Sequence, residues 1–150
     1  VHSLAGKNKF NKNDINSKID KKQNIRSNLN INLNGPNIFN FAINNVPRII
    51  KKISQNIKNI KYCILHQANQ MIQDNIEAQL INIKKKVIYP SSLKKFGNTS
   101  SASIPITICS NYPNKKLSGN SILCGFGVGL SISAIVVNLE KTKIFKIIKL

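Results

Sequence analysis

Two polar side chains combine hydrogen-bond donors with positions at which α/β enzymes place their sites. His66 directly follows the apolar run at residues 62–65, whose composition predicts a buried strand. A titratable side chain at the carboxyl end of such a strand lies where open α/β sheets carry out their chemistry. Asn98 lies later in the chain, after Gly97 in a loop of small residues. A neutral imidazole and a carboxamide can each donate an N–H to a developing oxyanion, so the two residues could stabilise a carbanion formed beside a carbonyl.

Both residues also have an ordinary structural interpretation. His66 could be a histidine whose hydrogen bonds are satisfied at a strand end, although this is the weaker interpretation. Asn98 could be a left-handed turn residue after glycine, an interpretation of nearly equal weight. A third feature is the glycine-rich turn at 125–129 between two apolar strands. It lacks the spacing of a dinucleotide fingerprint, so its glycines indicate close approach of the backbone to a ligand.

Apolar periodicity predicts the elements that must position these residues. Alternating apolar residues at 29–33 indicate a half-buried strand, and apolar residues at three- and four-residue steps predict a helix from Pro36 to about residue 57. Pro47 should kink that helix and leave the Ile43 carbonyl without its hydrogen-bond partner. After the strand at 62–65, the predicted elements are a helix at 68–83, a strand at 87–89, a helix at 102–109 and strands at 121–126 and 130–139.

The two later helices carry different apolar patterns. The helix at 68–83 is amphipathic, and its buried side should consist of Met71, Ile72, Ile76, Leu80 and Ile83. The helix at 102–109 has apolar and small residues on all sides, which predicts a buried helix.

The composition fits one globular domain with an unusual charge. The 150 residues are enough for a core, and hydrophobic residues make up 41% of them. The formal net charge of +18 would ordinarily suggest nucleic-acid binding. However, the lysines are spread along the whole chain and only Arg26 and Arg48 are arginines, whereas phosphate recognition favours arginine. A basic nucleic-acid-binding protein is therefore the lower-ranked alternative from another functional class.

The three cysteines, Cys63, Cys109 and Cys124, lie in apolar runs without metal-ligand spacing. This pattern indicates buried free thiols in a reducing compartment and predicts no metal site. We expect no secretory signal before Val1, and the longest apolar stretch is short for a spanning helix and contains glycine and serine. We therefore expect a cytoplasmic protein without a membrane partner.

Three motifs, taken together and in this order, resemble the C-terminal half of a β-ketoacyl-acyl-carrier-protein synthase III, a condensing enzyme of the thiolase fold. They are His66-Gln67-Ala68-Asn69, Gly97-Asn98-Thr99-Ser100 and Gly125-Phe126-Gly127-Val128-Gly129. The resemblance covers residues 26–139. It implies an α/β fold, a thiolase-like half in which helices pack on a mixed sheet of about five strands.

The resemblance also implies site residues and substrates. His66 and Asn98 would be catalytic, and the acyl thioester with its pantetheine arm would be bound by Leu33, Gly35, Phe39, Ala68, Asn69, Phe126 and Gly127. Acyl-CoA or acyl-carrier-protein thioesters would be the substrates, and no cofactor is expected. Many members of the family carry an arginine for carrier docking at the position of Met71, a role that Lys84, Lys85 or Lys94 could take here.

The resemblance divides the chain into a disordered or linker segment at 1–28, a thiolase-like C-terminal domain at 29–140 and a basic tail at 141–150. In the family the nucleophilic cysteine belongs to the N-terminal half, at a helix N-terminus that activates the thiol. None of the three cysteines here has that setting, so we expect the chain to be inactive alone. The implied partners are an acyl carrier protein and the missing half or a homologous subunit, with a dimer in the complete enzyme. Without that half, the chain would expose the apolar face at residues 102–109. The alternative is a non-catalytic or truncated thiolase-fold partner protein.

Overall fold

The computed structural model describes residues 15–21, 23–27, 34–81 and 87–148. Within these ranges the chain forms five strands and four α-helices. In chain order they are β1 (Lys18–Ile19), β2 (Ile25–Arg26), α1 (Gly35–Ser54), β3 (Ile60–Leu65), α2 (Gln70–Leu80), α3 (Leu93–Phe96), α4 (Ser103–Asn111), β4 (Asn120–Gly127) and β5 (Ser131–Asn138). Short 3₁₀ turns precede α4 and join β4 to β5. The predicted strand at 29–33 lies outside the described residues.

The central sheet has the order β3-β4-β5 and is mixed. β3 runs parallel to β4, and β4 pairs with β5 in antiparallel register over its whole length. The predicted strand at 87–89 contributes only one parallel bridge, between Ile88 and Tyr62. The α/β class with a mixed sheet is therefore confirmed, although the described sheet has three strands where about five were expected.

Helix α1 packs on one face of this sheet as its periodicity predicts. The Asn34 carboxamide oxygen accepts a hydrogen bond from the Asn37 N–H at 3.1 Å and caps the helix. Pro36 lies in the first turn, where backbone N–H groups have no partner within the helix, so the N–H that proline lacks costs no hydrogen bond. Ala42, Val46 and Ile50 are buried in the core. Full burial of a side chain as large as that of Val46 or Ile50 stabilises a fold by about 1.5–3 kcal/mol.

Helix α2 packs beside α1 and follows the amphipathic pattern with one correction. Asn69 caps its first turn, and Ile72, Ile76 and Leu80 are buried. Met71, which was expected on the buried side, is 60% exposed. Met71 directly follows the first helical residue, and its exposure shows that the prediction for Met71 was wrong. Ile83, also expected on the buried side, lies outside the described residues.

Helix α4 contacts β3, and its burial differs from the prediction. The residues buried at its sheet-facing side are the small polar Ser103 and Thr107. Pro105 is exposed, and the three isoleucines of α4 are half-buried. The apolar pattern alone predicted a helix buried on all sides, whereas the resemblance implied an exposed apolar face in a chain without its partner half. The partly open apolar side of α4 agrees with the second expectation.

The segments that flank the domain carry some structure. β1 and β2 form a small exposed hairpin in a region expected to be disordered or a linker, with an ion pair between Arg26 and Asp20 at 2.8 Å. In the tail, Ile144 is buried, and its carbonyl accepts a hydrogen bond from the Asn114 N–H at 3.0 Å. The proposed domain boundaries stay a prediction. No helix within the described ranges is long and apolar enough to cross a membrane.

Pro47 lies inside α1 and removes the N–H that would bond the Ile43 carbonyl. That carbonyl instead accepts a hydrogen bond from the side-chain amide of Gln79 in α2, at 2.9 Å. The defect that proline creates in one helix is therefore satisfied by the neighbouring helix, which helps to fix how the two helices pack.

Replacing Gln79 by Met should lower the free energy of unfolding by about 0.5 kcal/mol. This is the lower end of the usual range for one hydrogen bond, because water can reach this bond. In a Pro47→Ala background the helix itself supplies the missing N–H, so the same replacement should cost less. Urea unfolding of the four chains gives the coupling energy. An equal cost of Gln79→Met in both backgrounds would show that the amide does not compensate for the proline.

Candidate functional site

His66 directly follows β3 and lies beside the parallel strand β4. β3 ends at Leu65, which is paired with Cys124 of β4, and the His66 N–H donates to the Cys124 carbonyl at 2.8 Å. The side chain of His66 therefore leaves the sheet at its carboxyl edge, as predicted from the position of the residue after a buried strand.

The imidazole of His66 has two neighbours that fix its orientation. Its Nδ1 lies 2.7 Å from the hydroxyl oxygen of Ser103, at the start of α4. Its ring lies edge-on to the Phe126 ring, with centroids 5.3 Å apart and planes at 83°, an arrangement that aromatic rings favour. The orientation of this ring is therefore fixed by three elements: the end of β3, the start of α4 and the end of β4.

Burial lowers the pKa of His66 below its ordinary value of 6.5, while a hydrogen bond with the Ser100 backbone acts in the opposite direction. Desolvation is the larger effect because it disfavours the charged imidazolium. At neutral pH the ring is therefore neutral and carries one N–H. It can donate a hydrogen bond to an oxyanion without bringing its own positive charge.

A cleft of about 400 Å³ opens beside His66. One wall comes from the segment that begins α4, and the other from the end of β4 and the start of β5. The lining residues are His66, Ser100, Ser101, Ser103, Ile104, Gly125, Phe126, Gly127, Ser131, Ile132 and Ser133. Of the predicted site residues, the structure thus brings His66, Phe126 and Gly127 to one cleft.

Asn98 lies in the exposed loop that leads into this wall and is not among the lining residues. Its carboxamide oxygen accepts a hydrogen bond from the Ser100 N–H at 2.9 Å, an Asx turn. Gly97 has a φ of 64°, and Ser100 has a φ of 54°, which for serine costs about 1–3 kcal/mol. Such strain is typical of segments whose shape serves a site.

The remaining residues predicted to bind the thioester lie at two turns. Gly35 is the exposed first residue of α1, and Phe39 packs half-buried against the core. Ala68 and Asn69 form the turn after His66, and the Asn69 side chain caps α2 by accepting from the Ile72 N–H at 2.8 Å. Leu33 lies outside the described residues. A structural role thus accounts for Phe39 and Asn69, and ligand binding by this group stays a prediction.

Gln67 is a buried polar residue whose importance was not predicted. It is fully buried, and its amide N–H donates to the Leu65 carbonyl at 2.8 Å. Its amide oxygen accepts from the Ser91 hydroxyl at 2.9 Å and from the Ser92 N–H at 3.0 Å. One side chain therefore joins the end of β3 to the segment that precedes α3. A polar residue between a strand and a helix gives no periodic signal, so the sequence offered no sign of this contact.

A second set of buried hydroxyls continues from this segment to α4. The Ser92 and Thr107 hydroxyl oxygens lie 2.8 Å apart, and the Thr107 hydroxyl donates to the Ser103 carbonyl at 2.7 Å. Because Thr107 has a single hydroxyl proton, Ser92 must be the donor to Thr107. The chain of bonds ends at Ser103, the residue that contacts His66.

The cysteines do not form part of the cleft. Burial raises the pKa of the Cys63 thiol and raises that of Cys124 to about 12. Both thiols therefore stay protonated at neutral pH, a state that is poorly nucleophilic. Cys109 is half-buried, where a buried thiol was expected. Among the described residues no group of three or more His, Cys, Asp or Glu side chains could hold a metal ion.

Comparison with a family model decides to which family the chain belongs. Residues 50–139 match the model of 3-oxoacyl-[acyl-carrier-protein] synthase III, C-terminal part. The chain belongs to this family. The match contains His66, the loop with Asn98 and the turn at 125–129, which carry the three motifs of the synthase III resemblance.

Synthase III relatives from several bacteria match the same region. The chain is 39% identical over 113 residues to a β-ketoacyl-[acyl-carrier-protein] synthase III of Prochlorococcus marinus subsp. pastoris, which covers 71% of this chain and 33% of the relative. A synthase III of Streptococcus mutans is 34% identical over 131 residues, covering 82% of this chain and 38% of the relative. The chain thus spans about a third of the length of the curated relatives that it matches.

Solved synthase III structures share the fold. A 3-oxoacyl-(acyl-carrier-protein) synthase III at 25% identity superposes with a TM-score of 0.67, covering 86% of this chain and 40% of that one. A 3-oxoacyl-(acyl-carrier protein) synthase from Burkholderia xenovorans, at 24% identity, gives a TM-score of 0.67 over 81% of this chain and 36% of that one. The synthase III fold expected from the motifs is confirmed.

Acidification should destabilise the folded chain through His66. Because the folded pKa lies below the ordinary value of 6.5, the unfolded chain binds the proton more readily. Stability due to this residue is present above that value and is lost as pH falls from it through the lower folded pKa. The urea concentration at the midpoint of unfolding should decrease as the pH is lowered from about 7.5 to about 5. The decrease should be smaller in His66→Gln.

Glu77 provides the matched control for this pH dependence. Burial raises the pKa of its carboxyl above 4.5, so Glu77 favours the folded state as pH falls and partly offsets His66. Glu77→Gln should therefore steepen the loss of stability on acidification. A wild-type pH dependence in His66→Gln would contradict the assignment of a neutral buried imidazole.

Iodoacetamide should alkylate Cys109 before the other two thiols in the folded protein. Cys63 and Cys124 are buried with raised pKa values, so they should react only when the chain unfolds. Peptide mass spectrometry across a pH series separates the three rates. Rapid alkylation of Cys63 or Cys124 well below about pH 8.5 would reveal an activated thiol and contradict their structural role.

Proposed function

We propose that this chain is the C-terminal half of a 3-oxoacyl-[acyl-carrier-protein] synthase III-like acyltransferase. It binds acyl and malonyl thioesters and stabilises the carbanion of decarboxylation and condensation with His66 and Asn98. The observation that carries the proposal is the neutral, oriented imidazole of His66 at the edge of a cleft of about 400 Å³.

The chemistry needs N–H donors more than it needs a base. When malonyl thioester loses carbon dioxide, the bond between the carboxylate and the α-carbon breaks, and its electron pair passes to the α-carbon and the thioester oxygen. The carbanion then attacks an acyl group held on a cysteine, whose thiolate leaves. Donors aimed at the thioester oxygen lower the barrier of the first step, and each one typically contributes about 10²–10³ in rate.

The Asx turn supports a donor role for Asn98. The carboxamide oxygen is held by the Ser100 N–H, which fixes the amide plane. The amide NH₂ has no hydrogen-bond partner within the described part of the chain, and the side chain is exposed. A ligand in the neighbouring cleft could therefore receive an N–H from Asn98 without the loss of an existing bond.

The nucleophile must come from outside the described chain in this proposal. Cys63 and Cys124 are buried with raised pKa values, and neither lines the cleft. The half-buried apolar side of α4, with Pro105 exposed, supports a protein partner on that side. We infer that this partner is the N-terminal half or a homologous subunit that carries the cysteine, in an enzyme that is dimeric when complete.

The substrates would be acyl-CoA and acyl-carrier-protein thioesters, without a further cofactor. The net charge of +18 favours encounter with an acidic carrier protein. Met71 is exposed where the family often has a docking arginine, and Lys94 is exposed near the cleft loop. Lys94 could therefore take over part of the docking contact, whereas Lys84 and Lys85 lie outside the described residues.

The test supplies a cysteine-bearing N-terminal half in trans and follows decarboxylation of malonyl thioester. His66→Ala and Asn98→Ala should each lower the rate by about 10²–10³. The double variant should lose much less than the sum of the two effects, because both donors act on one developing charge.

Asn44→Ala is the matched control, since Asn44 is exposed on α1 away from the cleft. It should decarboxylate malonyl thioester at the wild-type rate. Wild-type rates for both His66→Ala and Asn98→Ala would contradict the catalytic assignment. In that case the alternative, a non-catalytic thiolase-fold partner, would account for the chain.

A further inference from the structure

The contact between His66 and Ser103 has a direction that determines which imidazole nitrogen carries the proton. Nδ1 of His66 and the Ser103 hydroxyl oxygen lie 2.7 Å apart, so one proton lies between them. If the imidazole donates, its proton is on Nδ1. If the serine donates, a neutral imidazole carries its proton on Nε2.

We propose that Ser103 is a positioning residue whose hydroxyl donates to Nδ1 of His66 and thereby keeps the imidazole proton on Nε2. The inference rests on the proposed function, since it specifies which N–H of His66 faces the thioester. Ser103 itself is 1% exposed. It therefore acts through His66 and not on the substrate.

The count of donors and acceptors around Ser103 favours this direction. Within the described part of the chain, Nδ1 of His66 is the partner of the Ser103 hydroxyl. If Nδ1 carried the proton, the serine O–H would be buried without an acceptor. A buried donor without a partner costs free energy, whereas a hydroxyl oxygen with a spare lone pair costs little.

The neighbouring hydroxyls hold Ser103 in place for this role. Its carbonyl accepts from the Thr107 hydroxyl at 2.7 Å, and Thr107 in turn accepts from Ser92. Thr107 is itself fully buried. Because the backbone of Ser103 is held in this way, its side chain needs only one rotation to aim the O–H at Nδ1.

The tautomer also agrees with the geometry of the cleft. With Nδ1 facing Ser103, Nε2 is the nitrogen left to donate, and an N–H there is what an oxyanion requires. A ligand would compete with the Ser100 backbone for the ring N–H. With the proton on Nδ1, the available nitrogen would present a lone pair to the same oxyanion and repel it.

Long-range ¹H–¹⁵N spectra of the full chain, labelled on histidine nitrogens, measure the tautomer directly. The signals of His66 are those absent from His66→Gln. The wild type should show the Nε2–H tautomer as the main form. In Ser103→Ala this preference should be lost and the pKa of His66 should rise, because a donor to the neutral ring has been removed.

Two further variants sharpen the result. Ser103→Thr keeps the hydroxyl and should keep the Nε2–H pattern. Ser110→Ala makes the same chemical change on the same helix, away from His66, and should leave both the tautomer and the pKa of His66 as in the wild type.

A wild-type ring protonated on Nδ1 would overturn the proposal. In Ser103→Ala, a fall in the pKa of His66 would also overturn it, and so would an unchanged tautomer and pKa. The wild-type spectrum decides even if Ser103→Ala fails to fold. The tautomer is measured without substrate and decarboxylation is measured with it, so the two proposals fail on different observations. Conversely, wild-type decarboxylation by His66→Ala would overturn the proposed function and leave the tautomer result intact.

Discussion

The buried amide of Gln67 joins the parts of the fold from which the cleft is built. It bonds the Leu65 carbonyl at the end of β3 and accepts two bonds from the segment at Ser91 and Ser92. That segment bonds Thr107, and Thr107 bonds Ser103. The position of α4 relative to the sheet, and with it the contact on His66, therefore depends on a continuous series of hydrogen bonds that starts one residue after the histidine.

A buried series of this kind is costly unless every member is satisfied, because each unpaired polar group costs about 1–3 kcal/mol. An apolar residue at position 67 could fill the space, but it would leave the Ser92 N–H without its acceptor. The benefit of the polar solution is directionality. Hydrogen bonds define one register between β3 and α4, whereas apolar contacts would tolerate sliding, and the ring of His66 needs a fixed partner at Nδ1.

The sequence predicted the elements with strong periodicity and the position of His66 well. Helices α1 and α2 and the strands β3 to β5 follow from apolar spacing. Phe126 and Gly127 line the cleft, and their predicted binding of a thioester stays a prediction. The exposure of Met71 was missed, and the partly open side of α4 followed from the resemblance and not from its apolar pattern, because periodicity gives no measure of what covers a helix. Gln67 and Ser103 were missed because small or polar residues carry no apolar signal, although their bonds are what orient the histidine.

The partly open side of α4 bears on how strongly the proposed donors, His66 and Asn98, would act. Asn98 is exposed and the cleft is open in this chain, so water competes for the N–H groups and a high local dielectric weakens their effect on a charge. A partner on the apolar side of α4 would exclude water from the adjoining segment at Ser100 and Ser101. The same contact that stabilises the complex would then strengthen the hydrogen bonds that the chemistry needs. Under the proposed function, assembly and activation of this chain would be one event.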